Sequence, residues 1–405
     1  MKTRAHPENK ICLPAGFTFS AACAGIKSSG RPDLGLVEAS PGTTAAALFT
    51  QNRIVAAPVE VGRHALAASG NRVRAVIVNS GNANCATGKP GKRACEQICS
   101  EVGRLLGVRA TEVFPSSTGI IGVPLPVDRL IPKLADLVGA REATTKAVKN
   151  FASAIMTTDK QPKSACAQLQ SGDAAVKVLG VAKGAGMIHP QLATMLVYLF
   201  TDAKGSPAEL KQLLRDACDE SFNSISVDGD TSTNDTVLLL ASGASGVSLR
   251  DGKVETRFSN ALHQVCQTLA EQIVFEGEGV RHLIRLSVEQ AKDCNEASRV
   301  ARTVAHSLLV KTAWAGADPN WGRILAAVGR SGVAVDSARV SIVIDNQLVC
   351  RFGVAHAFDE QQAHQALARP GCNIRILLGR GKGSIIFLTS DLTVEYVRIN
   401  AEYST

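Results

Sequence analysis

VAKGAGMIHPQLATMLVYLFTDA, residues 181–203, places a lysine and a glycine-rich turn ahead of a proline, then opens at Thr194 into an apolar run. The stretch MLVYLFTD (195–202) is short, β-rich and closed by polar residues, which predicts a strand. Taken alone, Ala193-Thr194-Met195-Leu196 reads as the start of that strand. Just beyond it, Ser206 is placed to cap a helix, Pro207 suits the first turn and Glu209 completes a capping box, so the chain breaks after Asp202 and a helix follows.

Working outward, similar β-rich runs recur at 74–80, 175–184, 235–242, 339–345, 373–379 and 384–390. Helix-period stretches separate them at 93–106, 127–137, 207–221, 260–274 and 290–310. The outcome is a mixed α/β chain. With 405 residues, 45% hydrophobic content and only 4% aromatic residues, it is long enough for two domains and suits closely packed α/β elements. The expected seam lies near 280–290, after the EGEG turn, giving domains 1–285 and 286–405.

The formal charge of +8 is spread over single and paired basic residues, without the interleaved aromatics of a nucleic-acid surface, so no nucleic-acid partner is expected. No apolar run approaches membrane-spanning length, and the N-terminal stretch is a poor signal-peptide core; a cytoplasmic location is the default. The eleven cysteines contain no CxxC pair and describe neither a disulfide framework nor a zinc site. Cys95 and Cys99 read as small apolar residues on one helix face.

Several motifs fail on their own chemistry. LLGRGKGS (377–384) lacks the glycine that a phosphate-cradling loop needs, four intervening residues ahead of a Gly-Lys-Ser/Thr. DGDTSTNDT imitates the start of a calcium loop, yet Thr233 stands where glycine must turn and Leu239 where a bidentate glutamate belongs. There is no GxSxG elbow or HExxH helix, and no metal or cofactor is expected.

KGAGMIHPQLATML (183–196) resembles the processing site of the ornithine acetyltransferase (glutamate N-acetyltransferase) family of arginine biosynthesis. Further blocks resemble that family in order: AACAGIK (21–27), VNSGNAN (78–84), SSTGIIG (116–122), IMTTD (155–159), SVDGDTSTNDTVLLLASG (226–243), VKTAWAGADPNWGRI (310–324) and 378–405. The resemblance implies a layered α-β-β-α sandwich of two stacked sheets followed by a smaller C-terminal α/β domain. It also implies self-cleavage between Ala193 and Thr194 into chains 1–193 and 194–405, which assemble as a heterotetramer of two of each.

On the same basis Thr194 is the nucleophile, and its freed α-amine the base. Such an amine has an ordinary pKa of about 7.7–8.0, so a modest downward shift makes it a proton acceptor near neutrality. Thr118 and Gly119 are the implied oxyanion donors. Without the resemblance, Ser116-Ser117-Thr118-Gly119 reads as an ordinary turn. The implied substrate-binding set is Thr157, Lys183, Thr194, Glu278, Asn400 and Thr405, serving N2-acetylornithine as donor and glutamate as acceptor, with acetyl-CoA as a second candidate donor. Lys183 suits a carboxylate and Glu278 an ammonium group. The family usually reads Asp-Gly-Glu-Gly-Ala-Thr-Lys where this chain has Glu276-Gly277-Glu278-Gly279-Val280-Arg281-His282. The alternatives are an amidohydrolase or aminopeptidase of related fold, and an unprocessed, non-catalytic homologue.

Overall fold

The structure, a computed structural model, describes residues 10–172, 174–188 and 195–402. Ala193, Thr194 and Thr405 lie outside the described residues. The described chain forms two compact units, one of residues 10–223 and 230–273 and the other of 224–229 and 274–402. The expected boundary at 285 falls inside a strand of the second unit, and the division comes earlier, at 273/274.

In the first unit the strands are β1 (Phe17–Ala22), β2 (Leu34–Ala39), β3 (Thr44–Phe49), β4 (Ala75–Asn82), β5 (Val113–Ile120), β6 (Lys163–Ser171), β7 (Ala174–Lys183), β8 (Leu196–Thr201) and β9 (Thr236–Ala241). Its helices are α1 (Ala57–Ala68), α2 (Gly88–Leu106), α3 (Val127–Gly139), α4 (Thr145–Ala154), α5 (Pro207–Asp219) and α6 (Gly252–Phe275), the last of which ends just past the division. One sheet runs β1-β2-β4-β5 and the other β3-β9-β8-β7-β6.

Alternation along the strands explains the layering. Phe19, Val37 and Val76 from the first sheet meet Leu179, Tyr198 and Leu238 from the second, with Phe151 of α4, in one buried cluster. Their neighbours Leu36 and Ile77 point the other way, onto Ile98 and Val102 of α2 and Leu130 and Leu134 of α3. Each such side chain contributes about 1.5–3 kcal/mol on burial. The outer face of the second sheet lies under α6, where a Cβ on Gly180 would sit 2.6 Å from Leu269 and 2.7 Å from Val265. Glycine there lets the helix close onto the sheet. The result is the α-β-β-α sandwich that the resemblance implied. At its parallel centre β8 and β9 are buried along their whole length, as a strand pair covered on both faces must be. The capping box at Ser206 and Glu209 forms as expected, with reciprocal bonds of 3.3 and 2.7 Å.

The second unit carries β10 (Leu283–Ala291), β11 (Ser341–Ile344), β12 (Gln347–Arg351), β13 (Val354–Ala355), β14 (Gly371–Leu377) and β15 (Gly383–Ser390) in the order β13-β12-β11-β14-β10-β15. Helices α7 (Cys294–Ala305), α8 (Leu308–Ala315), α9 (Trp321–Gly329), α10 (Glu360–Leu367) and α11 (Val394–Glu402) accompany it. The single long helix expected over 290–310 is corrected here. LIRLSVEQA alternates buried and half-exposed residues as a strand, Asp293 caps α7 by accepting the Glu296 amide at 2.8 Å, and a second helix begins after Ser307. Asn320 caps α9 by accepting the Arg323 amide at 3.1 Å, and Trp321 packs against the core.

Lys311 of α8 is buried and donates to the Ser390 carbonyl and to the hydroxyls of Ser390 and Thr389, at the end of β15. Burial pushes its pKa from 10.5 down to about 8, against the pull of Asp391 and Asp228. Between those two pH values the unfolded chain keeps the proton that the folded chain has released. Stability therefore rises with pH across that window, by up to about 3 kcal/mol. Urea unfolding at pH 8 and 10.5 should show this gain reduced in Lys311→Met relative to the parent; equal gains in both proteins would refute the assignment.

Candidate active site

The sequence Ser-Ser-Thr-Gly is not a turn but the C-terminal half of β5, paired in parallel with β4. Buried amides hold it there. The Ser117 hydroxyl donates to Asn79 Oδ1 at 2.6 Å, and Asn234 Nδ2 donates to the carbonyls of Ser117 at 2.9 Å and Ala83 at 2.7 Å. Gly119 has φ +134°, and a Cβ there would lie 2.3 Å from the Gly81 carbonyl carbon, so the kink at this strand end requires glycine.

Lys183 ends β7, and its ammonium donates to Thr118 Oγ1 at 3.2 Å. Both side chains are buried. Because Thr118 accepts from a cation, its own hydroxyl proton is directed elsewhere and is made more acidic, which suits a donor to developing negative charge. Lys183 also stands opposite Leu196 in the β7–β8 ladder, so the segment joining these strands starts and finishes at the lysine's end of the sheet.

A buried carboxylate organises this end. Asp159 Oδ1 accepts from Lys163 Nζ at 2.6 Å and from the Gly184 amide at 2.7 Å, while Oδ2 accepts the Thr157 amide at 3.1 Å. Burial would raise the Asp159 pKa, but Lys163 and then Lys183 outweigh it and hold the carboxyl well below its usual range. Lys27 feels the same cluster. Burial lowers its pKa to about 8, partly offset by Asp33 and Asp159 and reinforced by Arg31 and Lys183. Asp33 is itself engaged by the amides of Ala24, Ile26 and Lys27. Lys163, Lys183 and Lys27 stand against two carboxylates, Asp159 and Asp33, which leaves a positive excess fit for an anionic ligand.

Asp235 accepts the Met195 amide through Oδ1 at 2.9 Å, one residue after Thr194 in the chain. Burial drives its pKa far up, opposed by the Met195 amide and the charge of Lys183. Its carboxyl thus favours the neutral form.

On the second unit, Asn400 Nδ2 donates to Glu278 Oε2 at 2.9 Å and to the Tyr396 carbonyl at 3.0 Å. Thr393 Oγ1 donates to the Gly279 carbonyl at 2.6 Å, which fixes the glutamate's turn. The departures from the family pattern are tied down nearby: the amides of Arg281 and His282 donate to Asp391 Oδ1, and His282 Nδ1 lies 3.0 Å from Asp391 Oδ2.

The structure therefore places Thr118, Gly119, Thr157 and Lys183 on the first unit, where hydrogen bonds link Thr118 directly to Lys183 and Asp159 connects the Thr157 and Gly184 backbones. Glu278 and Asn400 are in contact on the second. Sequence reading missed Asp159, Asn234 and Asp235. The polar run 228–236, rejected as a calcium loop and otherwise noted only as a block resembling the family, ends against an apolar strand, and polar residues there must find buried partners.

A sandwich in which a buried lysine donates to a threonine hydroxyl at a glycine-kinked strand end suits an enzyme of acyl transfer. The chain belongs to the ArgJ family, which it matches over residues 18–405. It is 44% identical over 402 residues to the arginine biosynthesis bifunctional protein ArgJ of Methylococcus capsulatus, covering 98% of this chain and 97% of that protein. It is 43% identical to the protein of the same name from Nitratidesulfovibrio vulgaris, covering 96% and 98%. Among solved structures, the Bacillus halodurans arginine biosynthesis bifunctional protein argJ is 39% identical over 51% of this chain and 98% of the solved chain, with a TM-score of 0.49. The ornithine acetyltransferase of Mycobacterium tuberculosis, solved with ornithine, is 37% identical over 45% and 94%, with a TM-score of 0.39.

Proposed function

We propose that this protein is an N-acetyltransferase of arginine biosynthesis that severs its own chain between Ala193 and Thr194 and then carries acetyl from N2-acetylornithine to glutamate on Thr194. The Thr194 hydroxyl attacks the Ala193 carbonyl, the acyl group passes from nitrogen to oxygen, and water releases the ester. Thr194 is left with a free α-amine, which takes the hydroxyl proton in each later attack. Acetylornithine then yields an acetyl ester on Thr194 and free ornithine, which leaves with the proton. The glutamate amine attacks the ester and restores the hydroxyl.

One observation carries the reading: the Thr118 hydroxyl, polarised by Lys183 at 3.2 Å, beside Gly119 with its φ of +134°. That arrangement supports an oxyanion site, and the positive field supports a ligand carboxylate held by Lys183 and Thr157. The Glu278–Asn400 pair supports recognition of an ammonium group. Acetyl-CoA as a second donor, a cytoplasmic location and a heterotetramer of two chains of each kind complete the proposal.

The test uses acetylornithine alone. Mass spectrometry should find one added acetyl group on the peptide that begins at Thr194, and glutamate should discharge it as N-acetylglutamate. Acetate release at a rate indifferent to glutamate would make the protein a hydrolase and overturn the transfer. Formation of N-acetylglutamate from acetyl-CoA without acetylornithine measures the second donor activity.

A further inference from the structure

We infer that Asp159 is a positioning residue, a single buried carboxylate that ties the Thr157 segment to the Lys183–Gly184 strand end and so sets both ligand-holding residues in one register. This rests on the proposed roles of Thr157 and Lys183. Asp159 sits between α4 and β6, with no exposed atom on its side chain. It receives one amide from two residues upstream and one from Gly184, 25 residues downstream, so two separate stretches of backbone converge on its two oxygens. A shift of either stretch costs a buried hydrogen bond to a charge, which is about twice as strong as a neutral one.

A purely structural ion pair is the competing account, since Lys163 pairs with Asp159 at 2.6 Å and both are buried. Stability alone is a poor reason for such a pair, because an apolar pair of similar size often serves as well or better. The pairing explains something else. Lys163 supplies Asp159 with a close cation, so that the Lys183 ammonium, from the adjoining strand, can make its bond to Thr118. The lowered pKa of Asp159, held down by Lys163 and Lys183 against burial, agrees with a carboxylate kept charged for this purpose.

The decisive comparison uses Asp159→Asn, and the double variant Asp159→Asn/Lys163→Met in case the single change leaves Lys163 unpaired and the protein poorly folded. Each is assayed with N2-acetylornithine and with N-acetylputrescine, the same donor lacking the α-carboxylate. A positioning role predicts that the preference for the carboxylated donor in kcat/KM falls at least about tenfold, chiefly through KM, while the melting temperature of the double variant stays near that of the parent. Preference intact, with both donors slowed equally, overturns the inference and leaves a structural pair. Lys183→Ala is the control. If it keeps the preference, the carboxylate role of Lys183 fails; if it loses the preference while the Asp159 variants keep it, only the inference about Asp159 fails.

Discussion

Thr194→Ala leaves one uncut chain of 42.5 kDa on a denaturing gel, where the parent shows fragments 1–193 and 194–405. Without the hydroxyl there is no nitrogen-to-oxygen shift, and without the cut there is no α-amine to serve as base. Two functions go with one oxygen atom. Acetyl transfer should fall on the order of ten-thousandfold or more, the scale reached when a nucleophile and its base are lost together. Thr194→Ser separates the two effects, since it keeps a hydroxyl and an amine and should still cut and turn over, at reduced rate. An Ala variant that is cleaved at the same bond, or an active parent whose 193–194 bond is whole, would remove the basis of the mechanism.

Gly119→Ala carries the second large effect. The new methyl would stand 2.3 Å from the Gly81 carbonyl carbon and 2.5 Å from the Asn82 nitrogen, both backbone, so no side chain can swing aside. The φ of +134° adds strain of about 1–3 kcal/mol for a residue with a Cβ. The β4–β5 pairing must open at Gly81–Gly119. The melting temperature should fall by several degrees, and loss of the aligned amide should cost about a hundred- to a thousandfold in rate. Thr118→Ala supplies the contrast: a similar loss of rate from the missing hydroxyl with little loss of stability. Parent-like melting and turnover for Gly119→Ala would dismiss both the strain and the oxyanion role.

The central strand of the sandwich could be read from the sequence because its signal is local. MLVYLFTD predicts β8 almost to the residue, and Ser206 with Glu209 marks the next helix. Ser116 to Gly119 misleads for the same reason, since its composition is that of a turn and the amides that make it a strand end come from Asn79 and from Asn234, the latter 151 residues beyond Ala83. Residues 290–310 misled because helical periodicity outweighed the alternation that precedes Asp293. Thr118, Gly119, Thr157, Lys183, Glu278 and Asn400 were named through resemblance. Asp159 was not, because nothing near it in sequence announces that Gly184 will donate to it.

The order β3-β9-β8-β7-β6 has a consequence for the state after scission. Strands β3, β7 and β6 precede residue 193 and β8 and β9 follow it, so the later segment is inserted between two parts of the earlier one. It is bonded along β3 on one side and β7 on the other, six residue pairs each. The two products are thus born already threaded through each other. Their partnership is inherited from folding rather than from encounter in solution, and dilution should not part them or let them trade places with fragments of another molecule.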